Sequence, residues 1–230
     1  SIMYGYYGYD IQYLIYLLPG MLLAMYAQAK IKTNFETYSK VVNSKGLTGE
    51  TAARQILSSY HIDDVRVERV KGSLTDHYDP TKNILRLSES VYDSTSIAAI
   101  GVAAHEVGHA IQHHIGYAPL KFRNAIVPAA NIGSNLSFLF VFIGLMAFRP
   151  LLKIGIALFA ITVLFQLLTL PVEYDASRRA KVILRDGILS GQEMEGVEKV
   201  LSAAALTYVA SLVTAIGTLL RFLSLDRRRN

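Results

Sequence analysis

Apolar residues are not spread evenly along these 230 positions. They gather in four runs, 11–28, 125–148, 151–172 and 200–223, the middle two split only by Arg149 and Pro150. The last three are each about 22–24 residues, which as helix covers roughly 33–36 Å, enough for the hydrocarbon core of a bilayer. The first, at about 18 residues, sits at the short end of the spanning range. Helices buried in a water-soluble bundle are rarely this long without a polar face, so the pattern predicts four transmembrane helices. Lys153 and Arg221 lie near the ends of their runs, where a long side chain can snorkel to the interface. Tyr4, Tyr6, Tyr7, Tyr9 and Tyr13 crowd the start of the first run, as an aromatic belt would. Ala27-Gln28-Ala29 resembles a small-residue cleavage site, but the residues before the run lack Lys and Arg and include Asp10. That is a poor signal-peptide n-region, and the first run is expected to be a retained anchor.

Between the first two runs the pattern changes. Thr48-Gly49-Glu50-Thr51 before AARQIL predicts a capped amphipathic helix over about residues 49–60. Val65 to Val70 alternates and predicts a half-buried strand; Ile84 to Leu87 predicts a second, after turns at 71–73 and 79–83. Ser94, Thr95 and Ser96 offer N-caps to an apolar helix over roughly 96–115, with Gly116 and Pro119 as its stop. The expected fold is therefore mainly α and membrane-embedded, with a small α+β unit between spans one and two. The expected divisions are 1–28 (anchor), 29–124 (α+β domain), 125–172 (two spans), 173–199 (a polar loop or helix) and 200–230 (last span and basic tail).

Composition narrows the classes. The chain is 52% hydrophobic, carries a formal net charge of +5 and has no cysteine, which excludes disulfides and thiolate metal ligands. The spans carry almost no embedded charge, which argues against a transporter or channel. No nucleic-acid partner is expected. A lipid bilayer is, with room for a membrane-protein partner or an oligomer.

The chemistry concentrates in one place. Residues 105–109 read His-Glu-Val-Gly-His inside the apolar helix, and Glu106 is the only acidic or basic residue of that helix. Histidines at i and i+4 project from one face, one turn apart, so a single ion can take both imidazoles. Glu106 lies beside them, where it can hold an attacking water. A carboxylate and two imidazoles on so apolar a helix are costly to bury unless paired or metal-bound.

A catalytic zinc usually takes three protein ligands. His113 lies a further turn along, and one straight helix cannot bring His105, His109 and His113 to one ion; His114 points off the motif face. Four spans place the loops 29–124 and 173–199 on one side of the membrane. Glu173, where the third span ends, is therefore the better candidate, and Asp175, two residues on, would face away from it in a helix.

The segments Gly46-Leu47-Thr48-Gly49, LTDHYDP at 74–80, Leu87-Ser88, AAHEVGHAIQH at 103–113 and PVEYDASRRA at 171–180 resemble the YugP-type membrane zinc metallopeptidases of bacteria, within the gluzincin group. The resemblance covers nearly the whole chain. It implies a zinc cofactor held by His105, His109 and Glu173, Glu106 as catalytic base, and a protein or peptide substrate. In HtpX-type relatives an aspartate four residues after the glutamate ligand supports a zinc histidine; here that position is Ser177. Either Asp175 or another group supplies that bond, or it is absent.

Such a site implies hydrolysis of peptide bonds in membrane or juxtamembrane proteins, Glu106 moving a proton from water to the leaving amine. His77 and Tyr78 are candidates for stabilising the oxyanion, or else form a turn cluster with Asp76 and Asp79. The strand at 84–87 is expected to pair with an extended substrate. A scaffold retaining a structural zinc is the main rival. Lys30, Lys32, Lys40, Lys121, Arg123, Arg178, Arg179, Lys181 and Arg185 favour a cytoplasmic site on a bacterial cytoplasmic membrane. Arg227-Arg228-Arg229 argue the other way unless the fourth run is re-entrant.

Overall fold

The computed structural model describes residues 2–228, with side chains from residue 11 onward. Tyr4, Tyr6, Tyr7 and Tyr9 of the expected belt, and Arg229 of the basic tail, lie outside the described side chains. The elements run α1 (Ile2–Ser39), α2 (Gly49–Ser59), β1 (Arg66–Val70), β2 (His77–Asp79), β3 (Ile84–Ser88), α3 (Glu89–Tyr92), α4 (Ile97–Ile115), α5 (Ala118–Met146), α6 (Pro150–Arg185) and α7 (Gly191–Arg227). Four of them, α1, α5, α6 and α7, are long and apolar enough to cross a membrane. They outrun the apolar stretches that predict them. Helix α6 continues to Arg185 despite Pro171, and α7 begins at Gly191, so Glu173 sits within a helix rather than at the mouth of a loop.

The contacts divide the chain into two units. One comprises Ser1–Ala27, Phe122–Leu170 and Thr207–Asn230. Its core is a small apolar cluster, Val141, Leu152, Phe159, Val163, Ala215 and Phe222. Phe138, Phe159 and Phe222 meet edge to face, with centroids 5.3–5.8 Å apart. Large apolar side chains such as Phe142 and Met146 point outward, as a lipid-facing surface requires. Glycine lets α1 and α7 touch: a Cβ on Gly217 would lie 2.1 Å from the Tyr16 carbonyl oxygen, and one on Gly20 2.7 Å from the Thr214 Cα. Arg221 does not reach out to water. It is buried, its guanidinium carbon 5.8 Å from the centre of the Tyr13 ring.

The other unit comprises Gln28–Lys121 and Pro171–Leu206. Its sheet has the order β1-β3-β2, with β1 parallel to β3 (Val67 opposite Leu85) and β2 antiparallel to it (Tyr78 opposite Leu85). The central strand is the one expected to receive substrate. Both its edges are already paired, so residues 84–87 cannot add a peptide strand, and the free edges belong to β1 and β2. Strand β2 is the element the hydrophobic pattern does not predict: its three residues lie among turn formers, and Asp79 immediately folds back onto Thr81 and Lys82.

Helix α4 is the spine of this unit. Ser96 caps it, its Oγ accepting the Ala99 N–H at 3.0 Å, and Gly116 ends it in the left-handed conformation at φ 70°. Ala98, Ala99, Ile100, Ala103, Ala104 and Val107 are wholly buried in one core with residues of α2, β3, α6 and α7. An α4 apolar on nearly every face is a helix surrounded on nearly every face.

Candidate metal centre

The site begins with a close approach of α4 and α6. A Cβ on Gly108 would lie 2.6 Å from the Ala176 carbonyl oxygen and 3.1 Å from its Cα. Only glycine fits there without moving backbone, and that contact brings the His105–His109 face of α4 against the Glu173–Ser177 stretch of α6.

Three donors converge. His105 Nε2 lies 2.9 Å and His109 Nε2 3.2 Å from the same oxygen, Glu173 Oε2. Each of the three residues offers one ligand atom, and all lie within 4.8 Å of one another. The two imidazoles stand edge to face, centroids 4.9 Å apart. His109 and Glu173 are buried and His105 and Glu106 half-buried, so the cluster is closed over by protein but not sealed. Two imidazoles and a carboxylate form a donor set suited to zinc.

The outer nitrogens are also held. Ser177 Oγ lies 2.9 Å from His105 Nδ1, so the serine four residues after Glu173 meets a histidine of the motif. His109 Nδ1 lies 2.9 Å from Gln112 Oε1, and Gln112 Nε2 donates to the Val172 carbonyl at 2.9 Å and to Asp175 Oδ2 at 2.8 Å. Asp175 thus faces away from the cluster, as its spacing from Glu173 predicts, and acts on it through Gln112. Gln112 and Gly108 escaped the sequence reading. The available signal was a lone uncharged polar residue three positions after His109 on an otherwise apolar face.

The remaining candidates lie along β2. His77 places Nδ1 2.9 Å from the Thr75 carbonyl oxygen, and its Nε2 accepts from Arg86 Nη1 at 3.3 Å. The Tyr78 hydroxyl donates to Asn83 Oδ1 at 3.2 Å and lies 2.7 Å from His113 Nδ1. His113 therefore turns to the sheet, and His114 is exposed. Burial, together with the Asp64 and Asp79 carboxylates, pushes the Tyr78 phenol up to about 12, so it keeps its proton throughout the neutral range. Asp76 ties the loop before β2 to the end of β3 by accepting the Ser88 N–H at 2.7 Å, and burial raises its carboxyl above the ordinary value. Hydrogen bonds from Thr81, first of all its hydroxyl, hold Asp79 down at about 2.

Apolar membrane-length helices and an HExxH helix set against a glutamate of another helix define the class: an integral membrane protein with two histidines and a glutamate grouped as a metal ion would need. A family model described as "Putative neutral zinc metallopeptidase" matches residues 13–227, and the chain belongs to that family. It is 52% identical over 203 residues, 87% of this chain and 90% of the relative, to the "Putative membrane protease YugP" of Bacillus subtilis (strain 168). No solved structure matches the chain.

Proposed function

We propose that this protein is a zinc-dependent metallopeptidase that cleaves membrane or juxtamembrane proteins, with His105, His109 and Glu173 as the zinc ligands and Glu106 as the general base. The observation that carries this reading is the convergence of three donor atoms within 4.8 Å, one residue away from a half-buried carboxylate on the same helix. Bound there, zinc supplies Lewis acidity and brings the pKa of water down toward about 7.

Glu106 then takes a proton from the attacking water as the new C–O bond forms. It delivers that proton to the amine nitrogen as the peptide C–N bond breaks. Tyr78, a protonated phenol on the strand beside α4, is our candidate for the donor that stabilises the oxyanion, its proton turning to the substrate from Asn83 as the charge develops. His77, engaged at both ring nitrogens, serves in this reading to fasten β2. The substrate class follows from Glu173, which comes directly after the apolar residues 151–170 of its own helix. The basic residues flanking the spans favour a cytoplasmic site in this reading, which protease protection of residues 29–124 in sealed inverted vesicles tests.

The chemistry is tested with the full chain in detergent. Glu106→Gln is expected to retain zinc and to lose casein cleavage by about 100- to 10,000-fold. The parent should lose cleavage to a chelator and regain it with zinc. Parent-like cleavage by Glu106→Gln removes the assigned role, and a parent that holds zinc but never cleaves favours the scaffold.

A further inference from the structure

One residue of α4 is wholly buried, polar, and outside the catalytic scheme. Gln112 has no exposed surface, and its amide meets acceptors and a ring nitrogen in an arrangement with one solution. The Val172 carbonyl and the Asp175 carboxylate both only accept, so both must receive N–H from Gln112. The amide therefore cannot be turned over. Its oxygen is the end left facing His109, 2.9 Å from Nδ1. An amide oxygen only accepts, so Nδ1 of His109 carries a proton, and Nε2, the nitrogen nearest Glu173, is the one left for a metal to take.

Asp175 is itself anchored. Its Oδ2 accepts from Arg179 Nε at 2.7 Å, Arg178 lies 3.5 Å from Oδ1, and the Arg179 guanidinium lies 5.6 Å from the centre of the Tyr117 ring. His105 has no equivalent lock. Its partner Ser177 presents a hydroxyl that can donate or accept, so it holds the ring without dictating the tautomer.

We infer that Gln112 is the positioning residue of the metal centre: its amide, oriented by Asp175 and the Val172 carbonyl, fixes His109 in the one tautomer that offers Nε2 to a metal. The inference rests on His109 being a zinc ligand. Such partners set both ligand orientation and affinity, and their loss weakens metal binding about 10- to 100-fold.

The test uses the purified full chain, with zinc affinity from chelator competition and the histidine tautomer from ring nitrogen NMR shifts. Gln112→Met, similar in volume and without an acceptor, is expected to bind zinc about 10- to 100-fold more weakly and to lose the Nδ1–H signature of His109. Asp175→Asn keeps an acceptor oxygen toward Gln112 and should stay within about threefold of the parent, a retention that separates orientation from charge. Parent-like zinc affinity in Gln112→Met overturns the inference. So does a zinc-loaded parent whose His109 carries its proton on Nε2 and none on Nδ1, a result independent of whether any variant folds. His109→Ala separates the two levels: if it still binds a full equivalent of zinc, the ligand assignment itself fails, whatever Gln112 does.

Discussion

The two units handle polar groups in opposite ways. In the unit built from 1–27, 122–170 and 207–230, hydroxyls turn back on their own helix: Ser137 donates to Ser134 O, Thr169 to Phe165 O, Thr214 to Ala210 O and Thr218 to Thr214 O. Such bonds satisfy a group without specifying a neighbour, and helix pairing is left to close contact at Gly20 and Gly217. In the unit built from 28–121 and 171–206, polar side chains bridge between elements. Gln112 links α4 to α6, Asn43 accepts the Leu47 N–H and donates to Thr95 O, and Glu193 receives both the backbone N–H and the hydroxyl of Ser44. The hydroxyls of the first unit are satisfied within a helix, whereas the polar side chains of the second fix one element against another.

Matched substitutions at close-approach glycines sharpen that contrast most strongly. Gly108→Ala and Gly217→Ala both force a Cβ onto a backbone carbonyl, and each is expected to lower stability by about 1–3 kcal/mol. Gly108→Ala should also separate the histidines from Glu173 and weaken zinc binding by about 100-fold, while Gly217→Ala leaves it unchanged. Melting curves and chelator competition read the two effects. Equal zinc loss in both variants breaks the comparison.

A smaller effect is expected at Ser177. Removing a hydroxyl that holds His105 without choosing its tautomer should cost zinc affinity about tenfold or less. An effect larger than that of Gln112→Met reverses the ranking of the two histidines.

The smallest effect is a pH response at β2. Asp79 titrates at about 2 in the fold, below its ordinary value of 3.8. A depressed carboxylate stabilises the fold fully above its unfolded pKa and loses that contribution as pH falls through its folded value. Parent stability should therefore decline between about pH 4 and pH 2 more steeply than that of Asp79→Asn, as acid melting curves will show. Identical acid slopes remove Asp79 as a support of β2.

Much of this architecture is legible in the sequence. Long apolar runs fixed the number of spans, and Ser96 and Gly116 bounded α4 to within a residue. Topology alone brought Glu173 to the histidines. Helix ends were less legible, because the polar continuations 173–185 and 191–199 carry no apolar run and are held by packing on α4. Strand β2 has too few residues to show a period, and only its pairing with β3 makes it a strand. Gln112, a lone amide on an apolar helix, carries little legible signal of its own beside His113 and His114. Its meaning depends on Val172 and Asp175, some 60 residues away.

The most direct test measures zinc content and peptide hydrolysis together on the parent and on Glu173→Ala. The parent is expected to hold one zinc per chain and to cleave, and the variant to do neither. A Glu173→Ala protein that holds a full equivalent of zinc and cleaves at the parent rate would contradict the assigned site.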